Sequence, residues 1–433
     1  MGGGWDERGG DRPLGRDRGD GPGPAPAGIG ADPGPASGRG VALPDRRWPR
    51  PGKRRRWRRW LGAALLLALL ATLAGLLVDR SAIPARLPFP NRGSTTPAGP
   101  ALTARDGLRV AGDRIVDAAG RRVVFHGVNY SGAEYACVRG FGVFDGPSDL
   151  AMVRALVGWH VTSVRLLLNE DCWLGVNGVN PAYGGAAYRR AIVDFVRLLH
   201  AQGLYAEVSL AWAAPGRQLA LGQAPMPDAD HALAFWRSVA TTFAHDPFVV
   251  LGAYGEPHDV SWPCWLQGGA FCRLGYAAVG MQQIVDAIRA AGATQPIAVS
   301  GINFANDLGA WLEYRPHDPR GELVAEFHLY GNNLCHTPAC WARDELPVLR
   351  RVPLLTGELG ESYDDSSCGA SFISEYMTWA DAHGVGYQAW TWNTWGTCSS
   401  LIRRFDGTPA GVYGQTYRAH LAALAHAAGG RDA

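Results

Sequence analysis

Two glutamates in similar local sequences are the first candidates for chemistry in this chain. Glu256 lies in the segment YGEP and Glu358 in the segment TGEL, each at the end of an apolar run. A pair of carboxyl groups can cleave a glycosidic bond, because one protonates the leaving oxygen while the other, ionised, attacks the anomeric carbon. A gap of about 5–5.5 Å between them favours retention of configuration, whereas a wider gap admits a water and gives inversion. The residue types therefore predict a site with two carboxyl groups.

Further polar and aromatic side chains lie within or just after other apolar runs. Arg165 lies within the run VTSVRLLL, and His328 and Tyr330 lie in the segment EFHLY. Arg165 and Tyr330 are candidate hydrogen-bond donors to a carboxylate nucleophile, and His328 is a candidate partner of the acid. Trp390 offers an apolar face on which a sugar ring can stack. Two more candidates for substrate binding follow apolar runs, Asn169 and Trp212.

The elements that must position these residues form a regular alternation. Eight short apolar runs alternate with amphipathic stretches, which predicts an α/β fold, a (β/α)8 TIM barrel with its functional residues at the carboxyl ends of the strands. An open doubly wound sheet is the alternative, but no GxGxxG motif or P-loop follows the first strand. A small hairpin over 108–117 is expected before the barrel. The predicted strands are 123–128, 161–168, 204–210, 249–255, 296–300, 323–328, 353–357 and 385–390. The predicted helices are 149–158, 188–202, 230–244, 275–291, 306–313, 340–350, 371–383 and 414–427.

The beginning of the chain differs from the rest in composition. Residues 1–52 contain 15 Gly and 9 Pro, which predicts a disordered tail. Residues 53–80 hold a basic cluster followed by the 18 uncharged residues 61–78, enough for a helix of about 27 Å that crosses a bilayer. A Pro/Ser/Thr-rich linker, 81–104, then leads to the predicted barrel domain, 105–428.

The basic cluster predicts the orientation of the membrane segment. Arg and Lys mark the cytoplasmic side of a membrane helix, so the segment is interpreted as a signal anchor of a single-pass cell-membrane protein. The tail would then be cytoplasmic and the barrel extracytoplasmic. Cleavage of the segment as a signal peptide, followed by secretion, is the alternative.

The charge distribution excludes a strongly basic nucleic-acid binder. The net charge of +2 is a cancellation, because residues 1–60 hold 14 basic and 7 acidic side chains while 61–433 hold 27 and 32. The hydrophobic content of 47% excludes disorder over the full length. The 16 tryptophans are more than packing requires, and stacking against carbohydrate is one use for them.

All eight cysteines follow residue 130, in the part of the chain predicted to be translocated. An even number in that position predicts disulfides formed in an oxidising compartment. Nearness along the chain favours one set of pairs over the other possible pairings, and zinc ligation at Cys335 and Cys340 is the weaker alternative. No metal, cofactor or partner protein is predicted, and a monomer is expected. The favoured pairs are Cys137–Cys172, Cys264–Cys272, Cys335–Cys340 and Cys368–Cys398.

Taken in order, these motifs resemble family 5 glycoside hydrolases, the cellulase-like family, over about residues 105–425. The resemblance rests on the Glu-Pro after strand four, the His-x-Tyr of strand six, the Gly-Glu-x-Gly of strand seven and the Trp of strand eight. It implies a retaining O-glycosyl hydrolase that cleaves a β-linked glucan or related polysaccharide by double displacement, with Glu256 as acid/base and Glu358 as nucleophile. Residues at the family's supporting positions are Arg165, His328, Tyr330 and Trp390.

Two departures from the family pattern leave other interpretations open. The family has Asn before the acid/base Glu, where this chain has Gly255, and a His after strand three, where it has Ala211 and Trp212. Asn169 or Asn129 is a candidate to replace the missing amide.

The alternatives are of three kinds. A glycan-binding pseudoenzyme on the same barrel is the first, suggested by Gly255. A metal-dependent barrel hydrolase that uses His126, His328 and Glu358 is the second. The third concerns one residue, since Glu361 is an alternative to Glu358 as the nucleophile.

Overall fold

The computed structural model of the protein describes residues 99–429. The predicted tail 1–52, the predicted membrane segment 53–80 and residues 81–98 of the predicted linker lie outside the described residues. Within 99–429, no helix is both long and apolar enough to span a bilayer.

Eight parallel strands close into a barrel in which each strand pairs with the strands before and after it along the chain, and the last strand pairs with the first. This closure confirms the predicted eight-stranded barrel and rules out an open sheet. Every residue of β2 and of β6 is buried, because barrel strands are covered on both faces, and this explains why they read as apolar runs. The strands are β1 His126–Tyr130, β2 Ser163–Asn169, β3 Tyr205–Trp212, β4 Val249–Gly252, β5 Ile297–Ser300, β6 Leu323–Tyr330, β7 Leu354–Gly360 and β8 Gly386–Ala389.

Helices follow seven of the eight strands, largely as the periodicity predicts. The helical segment after β6 is composite, with a π turn between two short α-helical pieces. Two short helices were not predicted, Glu170–Leu174 and Trp262–Gln267. The main helices are Leu150–Val157, Ala186–His200, Ala232–Phe243, Met281–Ala290, Ser371–His383 and Gly411–Gly429, and the composite segment comprises Pro338–Cys340, Trp341–Glu345 and Leu346–Leu349.

The prediction of a helix over residues 306–313, after β5, is wrong. Ile302 and Asp307 exchange backbone hydrogen bonds of 3.2 and 3.1 Å across a tight turn whose intervening residues include a run with positive φ. The Asp307 side chain also accepts a hydrogen bond from Gly309 N–H at 2.8 Å. These local bonds compete with a helix, which is why turns replace it.

A hairpin packs against the amino-terminal end of the barrel. Its strands, Arg109–Ala111 and Arg114–Val116, pair antiparallel as predicted. Leu108 and Ile115 pack with residues at the beginnings of the barrel strands, among them Val250. The opposite, carboxyl end of the barrel remains for the loops that carry the site.

The described cysteines form four disulfides, and these match the four pairs that nearness along the chain favoured. All four bridges lie in the loops and short helices that follow the carboxyl ends of strands. Cys137–Cys172 joins the loop after β1 to the short helix after β2, and Cys368–Cys398 joins the loops after β7 and β8. The disulfides therefore brace the loops around the mouth of the barrel.

Candidate active site

Glu358 lies within β7 and is held by two donors, one from the neighbouring strand β6 and one from β2 across the barrel. Arg165 Nη1 donates to Glu358 Oε1 at 2.9 Å, and Tyr330 Oη donates to Glu358 Oε2 at 2.7 Å. Only 7% of the Glu358 side chain is exposed. Donors on both oxygens stabilise the ionised form of a buried carboxyl group.

Glu256 lies four residues after the end of β4 and is more open to solvent, with 18% of its side chain exposed. His328 Nδ1 lies 2.8 Å from Glu256 Oε1. The Gln223 amide, oriented by its hydrogen bonds, donates to Glu256 Oε2 at 2.9 Å and accepts from Glu256 N–H at 3.1 Å. Glu256 is thus fixed by one residue on β6 and one in the loop after β3.

The two glutamates face each other across the barrel mouth. His328 Nδ1 lies 2.8 Å from Glu256 Oε1 and 3.6 Å from Glu358 Oε1. One carboxylate oxygen of each glutamate and one nitrogen of His328 all lie within 4.8 Å of one another. Strands four and seven therefore bring together the two side chains that the sequence singled out.

The two glutamates belong to a largely buried cluster of charged side chains, which the sequence only partly indicates and which we call the buried charge cluster. Arg165 Nε lies 3.0 Å from Glu207 Oε1 and 3.3 Å from Glu326 Oε1. Glu207 was not among the candidate residues, and its signal is a lone charge inside the apolar run LYAEVSL. The members of this buried charge cluster are Arg165, Glu207, Glu256, Glu326, His328 and Glu358.

Burial and neighbouring charges shift the titration of the cluster. Burial disfavours the charged form of Arg165, but its carboxylate neighbours outweigh this effect and raise the pKa of Arg165 above its ordinary value. Burial, together with the charge of Glu326, raises the pKa of Glu207 to about 8 despite the opposing Arg165. Glu207 therefore holds a proton at neutral pH.

His328 is the second cation of the cluster. Burial disfavours its charged form, but attraction to Glu358 and hydrogen bonding to Glu256 and Glu326 raise the pKa of His328 to about 10. Its Nε2 lies 3.3 Å from Glu326 Oε1. Both ring nitrogens are thus engaged by carboxylates.

Tyr330 keeps its proton, because burial and the charges of Glu358 and Glu256 raise the pKa of Tyr330 well above its ordinary value. Its hydroxyl is therefore a permanent donor to Glu358, as the sequence predicts for this residue.

An aromatic wall lines one side of the mouth and contains both predicted tryptophans. Trp212 lies 6.1 Å from Tyr135 between ring centroids, Tyr135 lies 6.5 Å from Trp395, and Trp395 lies 6.4 Å from Trp390. Asp145 Oδ2 accepts hydrogen bonds from Tyr135 Oη and Trp395 Nε1. We call these four rings, Trp212, Tyr135, Trp395 and Trp390, the aromatic wall.

The structure corrects the prediction that Asn169 contacts substrate. Asn169 is fully buried and its oxygen accepts from Cys172 N–H, capping the short helix Glu170–Leu174. Its amide nitrogen donates to the backbone carbonyls of Glu134 and Ala220. All of its hydrogen-bonding groups serve the fold, so none is left to replace the amide missing at Gly255.

The side chain of Asn129 is likewise hydrogen-bonded within the barrel and not to groups at its mouth. Its oxygen accepts from Arg165 Nη1 at 3.0 Å, and its nitrogen donates to the carbonyls of Gly357 and Gln388. Asn129 therefore fixes the arginine that holds Glu358.

Gln223 occupies the space beside Gly255. A Cβ added at Gly255 would lie 3.5 Å from the Gln223 amide and 3.5 Å from Arg165 Nη2. The sequence did not indicate Gln223, because it lies in an aperiodic loop whose path only the folded chain defines.

The structure does not bring together the other predicted alternatives. Glu361 accepts hydrogen bonds from Ile373 N–H and Ser371 Oγ and so caps the helix Ser371–His383. His126 begins β1 and lies 3.3 Å from Asp381, at the opposite end of the barrel from the mouth. A metal site that joins His126 to His328 is therefore excluded by distance along the strands.

Comparisons with known proteins agree with this architecture. The family model for cellulases, glycosyl hydrolase family 5, matches residues 116–396. A mannan endo-1,4-β-mannosidase from Streptomyces lividans is 21% identical over 306 residues, 68% of each chain. Endoglucanase 1 from Saitozyma flava is 30% identical over 148 residues, which span 32% of this chain and only 39% of that protein. A β-glucanase from Saccharophagus degradans, solved with cellotetraose, has a similar fold with a TM-score of 0.59 and 18% identity, covering 80% of this chain and 99% of that one.

Proposed function

Because the chain belongs to glycosyl hydrolase family 5 and is an O-glycosyl hydrolase of the cellulase type, we propose that it hydrolyses a β-linked polysaccharide with retention of configuration. Glu358 is the nucleophile and Glu256 the acid/base. The observation that carries this proposal is the proximity of the two carboxylates, since one oxygen of Glu256 lies within 4.8 Å of one oxygen of Glu358. Such proximity favours the retaining arrangement, with carboxyl groups about 5–5.5 Å apart, over the inverting one, with carboxyl groups about 6.5–9.5 Å apart.

The surroundings of each glutamate support its assigned role. Arg165 and Tyr330 donate to both oxygens of Glu358, as a nucleophile that must stay ionised requires. Glu256 is the more exposed of the two, so a leaving group and a water can reach it. Arg165 and Tyr330 thus act on the nucleophile, while His328 and Gln223 position the acid.

The buried charge cluster combines acidic and cationic side chains. The cluster has four carboxyl groups and two cations, Arg165 and His328. Glu207 holds one proton at neutral pH. The two cations offset most of the remaining carboxylate charge, which lowers the cost of burying it.

The reaction then proceeds in two balanced steps. In the first, a carboxylate oxygen of Glu358 bonds to the anomeric carbon as the glycosidic bond breaks, and Glu256 gives its proton to the departing oxygen. In the second, Glu256 takes a proton from water, the water oxygen attacks the anomeric carbon, and the bond to Glu358 breaks.

The aromatic wall supports a polysaccharide substrate. Aromatic faces stack against the apolar face of a sugar ring, and the rings of the aromatic wall lie at the same, carboxyl end of the barrel as the paired glutamates. The relatives include a mannan endo-β-mannosidase and an endoglucanase, and one similar structure holds cellotetraose. We therefore propose a β-1,4-linked glucan or mannan as the substrate class.

The test compares two glutamine variants with a matched control. We expect Glu256→Gln and Glu358→Gln to lower turnover of β-glucan, mannan or aryl β-glycosides by about 10⁴-fold or more. Glu375→Gln removes an exposed glutamate of the helix Ser371–His383 and is expected to keep wild-type activity. Near-normal hydrolysis by either site variant would contradict the assignment, and oligosaccharide binding without any product from the wild type would favour a glycan-binding pseudoenzyme.

Azide separates the two roles. With an activated aryl β-glycoside, Glu358→Ala with azide yields the α-glycosyl azide, because azide replaces the nucleophile. Glu256→Ala with azide yields the β-glycosyl azide, because azide replaces the water of the second step. The reverse products would exchange the two roles.

A further inference from the structure

A second group of buried ionisable side chains lies away from the paired glutamates. Glu170 is the first residue of the short helix after β2, Asp228 lies in the loop after β3, and His231 precedes the helix Ala232–Phe243. His231 Nδ1 lies 3.4 Å from Asp228 Oδ1 and 4.0 Å from Glu170 Oε1. One carboxylate oxygen of each acid and one ring nitrogen of the histidine lie within 4.8 Å of one another. We call these three residues the Glu170 cluster.

Each carboxylate of the Glu170 cluster has one oxygen used by the fold and one that is not. Glu170 Oε1 accepts from Ala214 N–H at 2.7 Å, and Asp228 Oδ1 accepts from the N–H groups of Asp230 and His231 at 2.9 Å. Among the described residues, no donor group reaches Glu170 Oε2, Asp228 Oδ2 or His231 Nδ1. The fold thus orients both carboxylates while leaving one oxygen of each for another ligand.

The burial of these groups demands a compensating positive charge. Both acids are fully buried, and an unpaired buried carboxylate costs several kcal/mol. The only lysine of the chain is Lys53, and no arginine of residues 99–429 forms an ion pair with either acid. A bound cation, a proton shared between the two carboxyl groups or the imidazolium form of His231 must therefore offset their charge.

From this geometry we propose that the Glu170 cluster binds a divalent transition-metal ion, with Zn²⁺ as the best fit. Two carboxylate oxygens and one imidazole nitrogen are the ligand types of a tetrahedral zinc site whose fourth position holds water. Ca²⁺ and Mg²⁺ prefer six or more oxygen ligands, so the imidazole disfavours them. The His231 side chain is 16% exposed, which leaves a path for the ion from solvent.

The cluster of Glu256, His328 and Glu358 is a weaker metal site by the same criteria. Both nitrogens of His328 face carboxylates, and both oxygens of Glu358 already accept hydrogen bonds. A metal there must displace these bonds, whereas the Glu170 cluster offers free ligand atoms.

A metal ion bound at the Glu170 cluster would restrict the movement of the loop after β3. Ala214 donates to Glu170, and Asp228 lies at the other end of this loop. The loop between them carries Gln223, which contacts Glu256. Occupancy of the site is therefore expected to stabilise the segment that positions the acid.

The test measures metal binding by the purified full-length chain without reference to activity. After treatment with a chelator, we expect one Zn²⁺ to bind per chain by titration calorimetry and saturating Zn²⁺ to raise Tm by about 5 °C. Co²⁺ in place of Zn²⁺ should give the visible absorption of a four-coordinate site.

Three variants locate the ion. Asp228→Asn and His231→Gln should lose the binding and the Tm increase, while His317→Gln, which changes an exposed histidine elsewhere, should keep both. Without metal, Asp228→Asn should be no less stable than the wild type, because the new amide can donate to Glu170.

Two results would overturn the proposal. If neither Zn²⁺ nor Co²⁺ binds and Tm does not change, a shared proton or the imidazolium form of His231 offsets the charge of the two carboxyl groups instead. If binding persists in Asp228→Asn but disappears in Glu256→Gln, the ion lies between the paired glutamates. Neither result bears on whether the enzyme hydrolyses a glycan.

Discussion

At the scale of single residues, the two paired glutamates differ in their partners. Glu358 accepts from a permanent cation and from a tyrosine whose raised pKa keeps its proton, whereas Glu256 is positioned by an amide and an imidazolium. The two glutamates also differ in exposure, which suits the buried Glu358 to nucleophilic attack and the more open Glu256 to proton transfer.

The bond from Tyr330 to Glu358 gives a first prediction. Tyr330→Phe removes a hydrogen bond to a charged group, worth about 1.5–3 kcal/mol, and should lower kcat/KM by roughly 10- to 150-fold. Tyr363→Phe changes a half-exposed tyrosine at the rim and should leave kcat/KM within about twofold of wild type. Steady-state kinetics on an aryl β-glycoside measure both, and equal values for the two variants would contradict the role of Tyr330.

Gln223 gives a second prediction, which concerns the acid. Without the amide, Glu256 is less well placed to deliver its proton, so Gln223→Ala should slow cleavage of substrates with poor leaving groups. Aryl glycosides with good leaving groups need little protonation and should be affected much less.

The control for Gln223 lies in the same loop. Gln218 is exposed and does not contact Glu256, so Gln218→Ala should show no dependence on the leaving group. A uniform loss of rate with all leaving groups in Gln223→Ala would indicate a merely structural role for this residue.

At the scale of elements, the barrel brings polar side chains from separate strands together at its carboxyl end, and disulfides brace the loops there. Cys137–Cys172 closes a separation of 35 residues, whereas Cys335–Cys340 closes one of 5. All four cysteines are buried, so replacing either pair removes comparable packing.

Loop length therefore predicts which bridge matters more. In the chain-entropy description, the longer loop gives about 1.7 kcal/mol more stabilisation at 25 °C. The double variant Cys137→Ala/Cys172→Ala should lose more unfolding free energy than Cys335→Ala/Cys340→Ala by about this amount. Urea denaturation measures the difference, and a larger loss from the shorter loop would contradict it.

Asp381 connects three elements, and its pKa predicts that the folded protein loses stability at low pH. It lies on the helix Ser371–His383 and contacts His126 of β1 at 3.3 Å and His420 of the C-terminal helix at 2.8 Å. Burial alone would raise the pKa of Asp381, but hydrogen bonds from these two histidines outweigh it and lower the pKa to about 2 from its ordinary 3.8.

The sign of this shift sets the pH window. Asp381 binds its proton less tightly when folded, so its contribution to the unfolding free energy is present above about pH 4 and is lost as pH falls to 2. That contribution is at most about 2 kcal/mol. Asp381→Asn should flatten the pH dependence of stability in this window, while Asp194→Asn, at an exposed position, should not.

At the scale of the whole molecule, the chain combines the barrel with a beginning of different composition. The net charge of +2 arises from a basic first part and a mildly acidic remainder. The membrane segment 53–80 remains a prediction from sequence, as does the extracytoplasmic position of the barrel.

Fractionation of cells that express the full chain tests that prediction. We expect the protein to stay in the membrane pellet after alkaline carbonate extraction, and deletion of 61–78 to release it. External protease should reach the barrel but not the beginning of the chain. Recovery of a shortened chain from the medium would instead indicate cleavage and secretion.

The sequence by itself determined the barrel, the paired glutamates and the disulfide partners. Barrel strands are buried on both faces, so each reads as an apolar run, and the residues after such runs must meet at one end. Glu256, Glu358, Arg165, His328 and Tyr330 were all found in this way. The disulfides follow from nearness along the chain.

Only the tertiary structure decided which groups touch across loops. The contact of Gln223 with Glu256 and the Glu170 cluster both depend on the loop after β3, which shows no periodicity. The turns after β5 were missed because local side-chain bonds outweigh helical spacing there. Periodicity indicates which residues of a single helix or strand are buried. A contact between two loops depends instead on where the closed barrel places the ends of those loops, and only the three-dimensional structure shows this.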